Sequence, residues 1–421
     1  MRIRQQLYCG IFLAAACSSG GGDSDDTGTT GETGTTGEPA VCGDGVLDPG
    51  EACDVAAAGC DADCGLTGEV AWTVRIGDAD ERTTLFGVAV DAAGQIVVFG
   101  EELRASGGQP IRSTWLLALD PAGKERWRKE FPGEEYPPGS GGVVVDGDGR
   151  IYVRYGGLRR FEPDGAPGWE VPGPGPGDEY MAHVVGDDAL FTADYGLDPE
   201  GGDTELANLI LRRHDPTNGA IEWQRFIGDD HHRLSPGKLA VAGGAVVAAG
   251  EWYGYSSGGG GAVVSVDAAT GAPGLRDYDE SQGMYGPIAG LPSGDYVHTG
   301  WGDYRWFVRR HAGDGTVRWT VPIDVGDSVG ERPLTDVVVG RDGTIFVAAN
   351  DGSWDAIHGT VRAVAGGGEP RWRVEFSPEG PARSEVVEHL AIGPGFLVAA
   401  GASEGEVFQE RTGWLRRIGP K

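Results

Sequence analysis

Past Cys64 the chain has no cysteine, and throughout it cations are scarce: 34 Lys and Arg stand against 64 Asp and Glu, a formal charge of −30. A surface of that sign repels phosphate backbones, which excludes nucleic acid as a partner. No apolar run reaches the roughly 20 residues that a membrane-spanning helix takes, and no segment sustains a helical period. Two motifs with a fixed chemistry, H-E-x-x-H and G-x-x-x-x-G-K-[ST], are missing. What abounds is glycine, 75 residues, with 25 prolines. Scattered at random they would mark low complexity, but here they punctuate short apolar runs. With 39% hydrophobic residues over 421 positions, the chain can supply a sizeable core.

Residues 1–17 carry Arg2 and Arg4, the run LYCGIFLAAA and then Cys17, the layout of a signal peptide. LAAAC resembles the bacterial lipobox, with Leu13 one place further from the cysteine than usual. That resemblance implies lipidation of Cys17, and Ser18 after it implies the outer membrane; without lipidation the layout means ordinary secretion. Acyl chains contribute about 0.8 kcal/mol per buried methylene, so membrane contact is expected through this anchor alone. Residues 18–41, opening SSGGGDSDDTGTTGETGTTGEP, bury too little apolar surface to offset chain entropy and read as a tether. Its end-to-end distance is about 25 Å for a random coil.

Cys42, Cys53, Cys60 and Cys64 fall within 23 residues. In an exported chain they read as two disulfides stapling a small module, 42–68, with three pairings open. Gaps of ten, six and three residues fit zinc poorly. Asp44, Asp48, Glu51 and Asp54 lack the order of a calcium loop. The string CGDGVLDPGEACD is similar to the opening of the cysteine-rich repeats of bacterial surface proteins, with a shorter stretch between the middle cysteines.

From residue 69 one unit recurs about every fifty residues. LFGVAVDAAGQIVVFGEE is two apolar runs around a glycine turn, and STWLLALDPAGKERWRKEF is a second pair ending in a tryptophan. Four strands per unit at this spacing predict an all-β propeller. Six complete units are followed by three strands, and EVAWTVRIG, residues 69–77, supplies the missing fourth. The expectation is a seven-bladed propeller over 69–421, closed by its N-terminal strand, which leaves no exposed edge. Trp72, Trp127, Trp169, Trp223, Trp319 and Trp372 recur on the fourth strand, with Leu275 in one unit, and are expected to pack between blades. LDPAGKERW and HDPTNGAIEW resemble the PQQ-like repeat, which implies the fold far more than a function. Quinoprotein dehydrogenases share this repeat, but they are larger, usually eight-bladed, and often set adjacent cysteines beside the quinone; no cofactor is expected here.

Propellers present two faces. Turns within each hairpin are short here, whereas the connections between second and third strands (101–114, 194–208, 251–262, 350–359 and 402–413) and those between blades are long and variable, where binding usually resides. The blade connections carry carboxylates throughout: Asp78, Asp80 and Glu81; Glu134 and Glu135; Asp178 and Glu179; Asp229 and Asp230; Asp279 and Glu280; Asp324, Asp327 and Glu331; Glu379 and Glu385. Tyr136, Tyr180, Tyr285, Trp252, Trp301 and Tyr304 lie in or beside the same loops. We expect a face suited to a cation such as Ca²⁺, a basic protein or a glycan; the plain alternative is that an acidic protein has acidic loops everywhere. Asp229, Asp230, His231 and His232 form the one local string of metal-ligand types, yet adjacent side chains in an extended loop diverge, so no metal is assigned. His214 and His311 hold matching repeat positions and are expected to be structural.

Three functions compete. A monomeric, surface-displayed binding or scaffold protein fits anchor, tether and propeller. The chain also resembles the periplasmic propeller lipoproteins that act as outer-membrane assembly scaffolds, from which its long tether and cystine module depart. A polysaccharide-active enzyme would place dispersed carboxylates at the channel mouth.

Overall fold

The computed structural model describes residues 51–53, 59–62, 64–77, 82–106, 109–132, 141–172, 179–186, 188–197, 207–227, 232–254, 258–279, 282–326, 333–353, 356–378, 382–405 and 411–420. Cys17, the tether and Cys42 lie outside them. Among the described residues every regular element is a β-strand.

The strands fall into antiparallel quartets because alternating apolar residues are broken at regular intervals by Asp- and Gly-bearing turns. After β1 (Val70–Ile76) come β2 (Arg82–Val90), β3 (Ile96–Ser106), β4 (Gln109–Leu119) and β5 (Glu125–Pro132). The next quartets are β6 (Gly142–Val145), β7 (Ile151–Arg154), β8 (Gly157–Phe161) and β9 (Pro167–Pro172), then β10 (Glu179–Val185), β11 (Leu190–Leu197), β12 (Ala207–His214) and β13 (Ile221–Ile227). These are followed by β14 (His232–Ala242), β15 (Ala245–Gly254), β16 (Gly258–Asp267) and β17 (Pro273–Asp279), and by β18 (Gln282–Gly290), β19 (Tyr296–Gly302), β20 (Arg305–His311) and β21 (Val317–Ile323). The chain ends with β22 (Leu334–Val339), β23 (Ile345–Ser353), β24 (Ala356–Val364) and β25 (Pro370–Phe376), then β26 (Ser384–Gly393), β27 (Phe396–Glu404) and β28 (Arg411–Ile418). Strand β1 pairs antiparallel with β28, from Val70 opposite Ile418 to Ile76 opposite Gly413.

Quartets β6–β9, β10–β13, β14–β17 and β18–β21 are separate four-stranded sheets. The rest share a twelve-stranded sheet, joined by single parallel bridges, His358 to Glu385 and Arg82 to Arg411. First strands pack successively on one another, β2 on β6 and onward to β26, which packs on β2. The four-stranded sheets are thus blades of a β-propeller.

Apolar residues fill the spaces between blades. Val98, Trp115 and Val398 share one cluster, and Val97, Phe99 and Ile151 another, all buried. Each such side chain contributes about 1.5–3 kcal/mol when fully buried. The turns repeat a device in which an aspartate caps the backbone: Asp91 Oδ1 accepts from the amides of Ala93 and Gln95 at 2.9 and 2.8 Å.

Fourth-strand tryptophans lock each blade to the next. The indole N–H of Trp72 donates to the Pro121 carbonyl at 3.1 Å, Trp127 to Pro163 at 3.1 Å, and Trp169 to Pro216 at 3.0 Å. Trp223 reaches Ala268 at 3.1 Å and Trp319 reaches Gly366 at 3.0 Å. Every acceptor belongs to the last turn of the following blade, whose glycine lies under the ring; at Gly219 a Cβ would sit 2.8 Å from Trp169. Leu275 covers Gly315 in the same way, without the hydrogen bond.

Trp372 has no such turn to meet, because the third and fourth strands of the next quartet, β28 and β1, are not consecutive in the chain. The cysteine segment takes its place: the indole of Trp372 donates to the Leu66 carbonyl and lies over Gly68, whose φ of +86° matches the turn glycines elsewhere. Gly59 abuts Gly419, and the Gly419 amide donates to the Glu69 carbonyl at 2.9 Å. Ala52, Cys53, Cys60, Cys64 and Leu66 are buried in one cluster with Phe346, Phe376, Leu397 and Ile418. Cys53 and Cys60 form a disulfide with a Cα–Cα distance of 6.1 Å, and Cys64 is disulfide-bonded as well.

One expectation is corrected. Of the connections expected to be long loops, 101–114, 251–262 and 350–359 lie mostly in extended hairpins: β3 runs to Ser106 and β4 resumes at Gln109, while β15 and β16 approach to Gly254 and Gly258. Polar sequence such as Glu101–Arg104 suggested loop, yet a strand needs ladder partners for its backbone and not apolar side chains, and Glu101 and Glu102 are buried against Arg112 and Arg128.

Candidate functional site

The nominated acidic and aromatic face falls largely outside the described residues: Glu134, Glu135, Tyr136, Asp178, Asp229, Asp230, His231 and Glu280 all do. Glu179, Tyr180, Asp279 and Tyr285 are described in their backbone. Glu179 and Tyr180 pair with Tyr195 and Asp194, Asp279 with Gly261, and Tyr285 with Gly300. Their strands, β10, β17 and β18, bring these residues to the blade-connection face. Among the described residues no three or more His, Cys, Asp or Glu are grouped to hold a metal ion.

Ionisable groups converge at the propeller axis. A bulge interrupts the first strand in most quartets, between Leu85 and Gly87, Pro236 and Lys238, Leu334 and Asp336, and Val387 and His389. The residue after it occupies one equivalent position around the axis: Gly87, Lys238, Asp336 and His389. Lys238 Nζ reaches Asp336 Oδ1 at 2.6 Å, passing the intervening quartet, whose first strand carries Gly286. Asp336 Oδ2 also accepts from the Leu390 amide at 2.8 Å. His389 Nε2 lies 3.1 Å from the Leu85 carbonyl, and burial, reinforced by the charge of Lys238, pushes its pKa down. His183 fills the space above Gly142, where a Cβ would stand 2.7 Å from its ring. Burial, with Arg154 and Lys238 nearby, lowers its pKa to about 3. The axial layer is therefore an internal ion pair flanked by neutral imidazoles.

Nearer the rim, buried carboxylates are held by arginines. Glu102 accepts from Arg104 and Arg128 at 3.0 and 2.9 Å, and Asp351 from Arg362 and Arg373 at 2.7 and 2.8 Å. Asp194, fully buried, pairs with Arg154 at 3.5 Å and with Arg212. Glu385 binds Arg416 and accepts from Ser403 Oγ at 2.6 Å; burial raises its pKa against these partners. Glu101 is raised by burial too, opposed by Arg112 and Arg82. Ser403 lies in one of three G-x-S-x-G strings, at 254–258, 326–330 and 401–405. A nucleophile elbow needs a strand-to-helix turn, whereas Ser403 sits within β27 and hydrogen-bonds a carboxylate.

The repeat histidines hold turns. His214 Nδ1 faces the Gly219 carbonyl at 3.1 Å and His311 Nδ1 the Gly315 carbonyl at 2.8 Å, which leaves each Nε2 as an acceptor. For His214 the donor is Thr192 Oγ1 at 3.1 Å; His311 Nε2 lies 3.0 Å from Nε2 of His298, whose own Nδ1 faces the Thr299 carbonyl at 3.1 Å. Loop aromatics divide: Trp252 is core, 1% exposed, whereas Tyr304 is 91% exposed.

Sequence reading missed the axial layer. Its signal was a lone polar residue in the same place of repeated apolar runs, as in GKLAVA, TDVVVG and EHLAIG.

No curated protein matches the chain in sequence. Among solved structures, polysaccharide lyase Uly1 superposes with TM-score 0.52 at 10% identity, over 84% of this chain and 100% of its own. The Dos1 propeller gives 0.48 at 9%, over 83% and 96%. A Bacteroides caccae protein of unknown function gives 0.41 at 13%, over 62% and 89%. Identities this low speak to fold alone. In sequence, residues 112–274 match the PQQ-repeat family described as outer membrane protein assembly factor BamB.

Proposed function

We propose that this chain is an exported, lipid-anchored, seven-bladed propeller that serves as a binding scaffold at the cell surface. Support for seven blades comes from the quartets β2–β5 through β22–β25 plus β26–β28 completed by β1, and from the packing of β26 back on β2. Export is supported by the Cys53–Cys60 disulfide, a bond that persists in oxidising compartments; by elimination Cys42 and Cys64 make the second. Cys17 is the anchor and residues 18–41 the tether. The partner, a protein, glycan or cation, engages the blade-connection face that carries Glu134, Glu135, Tyr136, Asp178, Glu179, Tyr180, Asp229, Asp230, His231, Asp279, Glu280 and Tyr285.

The observation that carries a binding role over a catalytic one is the engagement of buried carboxylates by cations: among the described residues Glu102, Asp194, Asp336 and Asp351 are each tied to Arg or Lys. A general acid or base needs a carboxyl free to exchange its proton at working pH. The family match over 112–274 favours a second reading, a periplasmic outer-membrane assembly scaffold. Protease shaving of intact cells separates the two: release of propeller fragments into the medium supports display, and complete protection refutes it in favour of the periplasm.

A further inference from the structure

We infer that the hairpin between β19 and β20, residues 301–306, is a glycan contact in which Tyr304 stacks on the face of an uncharged sugar. This rests on the binding-scaffold reading above and names the ligand class.

The geometry is that of a presented ring. Trp301 pairs across the hairpin with Trp306, their ring centroids 5.3 Å apart, and Trp306 packs on the apolar cluster of Leu334 and Ile323. The base of the hairpin is thereby fixed to the blade. At its tip Asp303 and Tyr304 have φ of +49° and +58°. Left-handed backbone is disfavoured for a residue with a Cβ, and Asn-Gly is the usual choice in such a turn. The chain keeps a tyrosine there, 91% exposed, where it covers nothing in the fold.

The surroundings select the partner. Asp303 and Arg305 flank the ring, both exposed, and offer an acceptor and donors to hydroxyl groups. The other exposed large hydrophobics among the described residues, Ile111, Ile221 and Val317, lie on other strands. A stable protein interface buries about 800 Å² on each partner around an apolar centre, and a membrane contact needs a comparable apolar surface. One exposed aromatic ring with a carboxylate and a guanidinium as its sequence neighbours matches a pyranose, whose C–H face stacks on an aromatic and whose rim carries hydroxyls. The charge of −30 repels uronate and sulfate polymers, which leaves neutral glycans.

The test uses the full chain against an array of neutral glycans (β-glucans, mannans, galactans) and acidic ones (alginate, hyaluronan), followed by titration of the best neutral oligosaccharide. We expect binding to a neutral glycan, weakened at least tenfold by Tyr304→Ala with the thermal midpoint unchanged and by Tyr304→Gly with the midpoint unchanged or raised, and kept within threefold by Tyr304→Trp. Binding to no neutral glycan, preference for the acidic ones, or wild-type affinity in Tyr304→Ala overturns the inference. If cell shaving still releases the propeller while the array is blank, display stands and the glycan assignment alone fails.

Discussion

The corner where the cysteine segment replaces a turn can be tested by giving Gly68 a side chain. Its φ of +86° places any L-residue in the left-handed region, at about 1–2 kcal/mol. The new Cβ would also stand 2.8 Å from Val374 Cγ2 and 2.9 Å from Trp372 Cε3. Moving the ring breaks the indole hydrogen bond to the Leu66 carbonyl, about 0.5–1.5 kcal/mol. Gly68→Ala should therefore destabilise by about 2–3 kcal/mol. Two substitutions separate the contributions. Gly244 has nearly the same φ, +80°, with nothing within 4 Å, so Gly244→Ala should show the backbone strain alone. Gly147 has open space and no positive φ, and Gly147→Ala should be neutral. Urea unfolding followed by tryptophan fluorescence gives the three values. Equal losses for Gly68→Ala and Gly244→Ala would refute the claim that the cysteine segment is docked under Trp372.

Acid should weaken the fold through its buried histidines. Burial lowers the pKa of His298 and of His183 to about 3, against about 6.5 unfolded. The unfolded chain then binds more protons between these values, so their contribution is complete above pH 6.5 and is lost as pH falls toward 3. Each group changes stability by about 1.4 kcal/mol per pH unit inside that window. Urea midpoints measured from pH 7 to 5 should fall, and His298→Gln should flatten the slope; a flat wild-type profile contradicts the assignment. At the axis, Lys238→Met leaves the buried Asp336 carboxylate without its cation and should cost about 3–5 kcal/mol, whereas Asp336→Ala leaves a partly exposed lysine and the Leu390 amide and should cost less. Equal effects on the urea midpoint would show that the pair does not hold the inner strands together.

The blades were legible because a blade is written locally. Two apolar alternations around DAAGQ or DGDGR fix a hairpin whatever lies beside it, and Trp127 or Trp169 marks the fourth strand by its place after such a turn. Leu275 was legible for the same reason, since position and not residue type puts it on Gly315. What escaped depends on contacts distant in sequence. Nothing in LTGE says that Leu66 and Gly68 will stand in for a turn under Trp372, more than 300 residues away. Lys238 and Asp336 look like surface residues until the bulges before them turn both toward the axis. The hairpin tips were read as loops because a strand needs no apolar alternation. Of the twelve residues proposed to engage the partner, Glu179, Tyr180, Asp279 and Tyr285 are described, in their backbone.

Ring closure between the chain ends underlies the scaffold, the seam and the binding face alike, and hydrogen–deuterium exchange of the intact chain measures it without mutation. The amides of Val70–Ile76 that face β28 should be protected like the corresponding amides of other fourth strands, such as Glu125–Pro132. Fast exchange of Val70–Ile76 beside a protected β28 would mean that the N-terminal strand does not close the propeller.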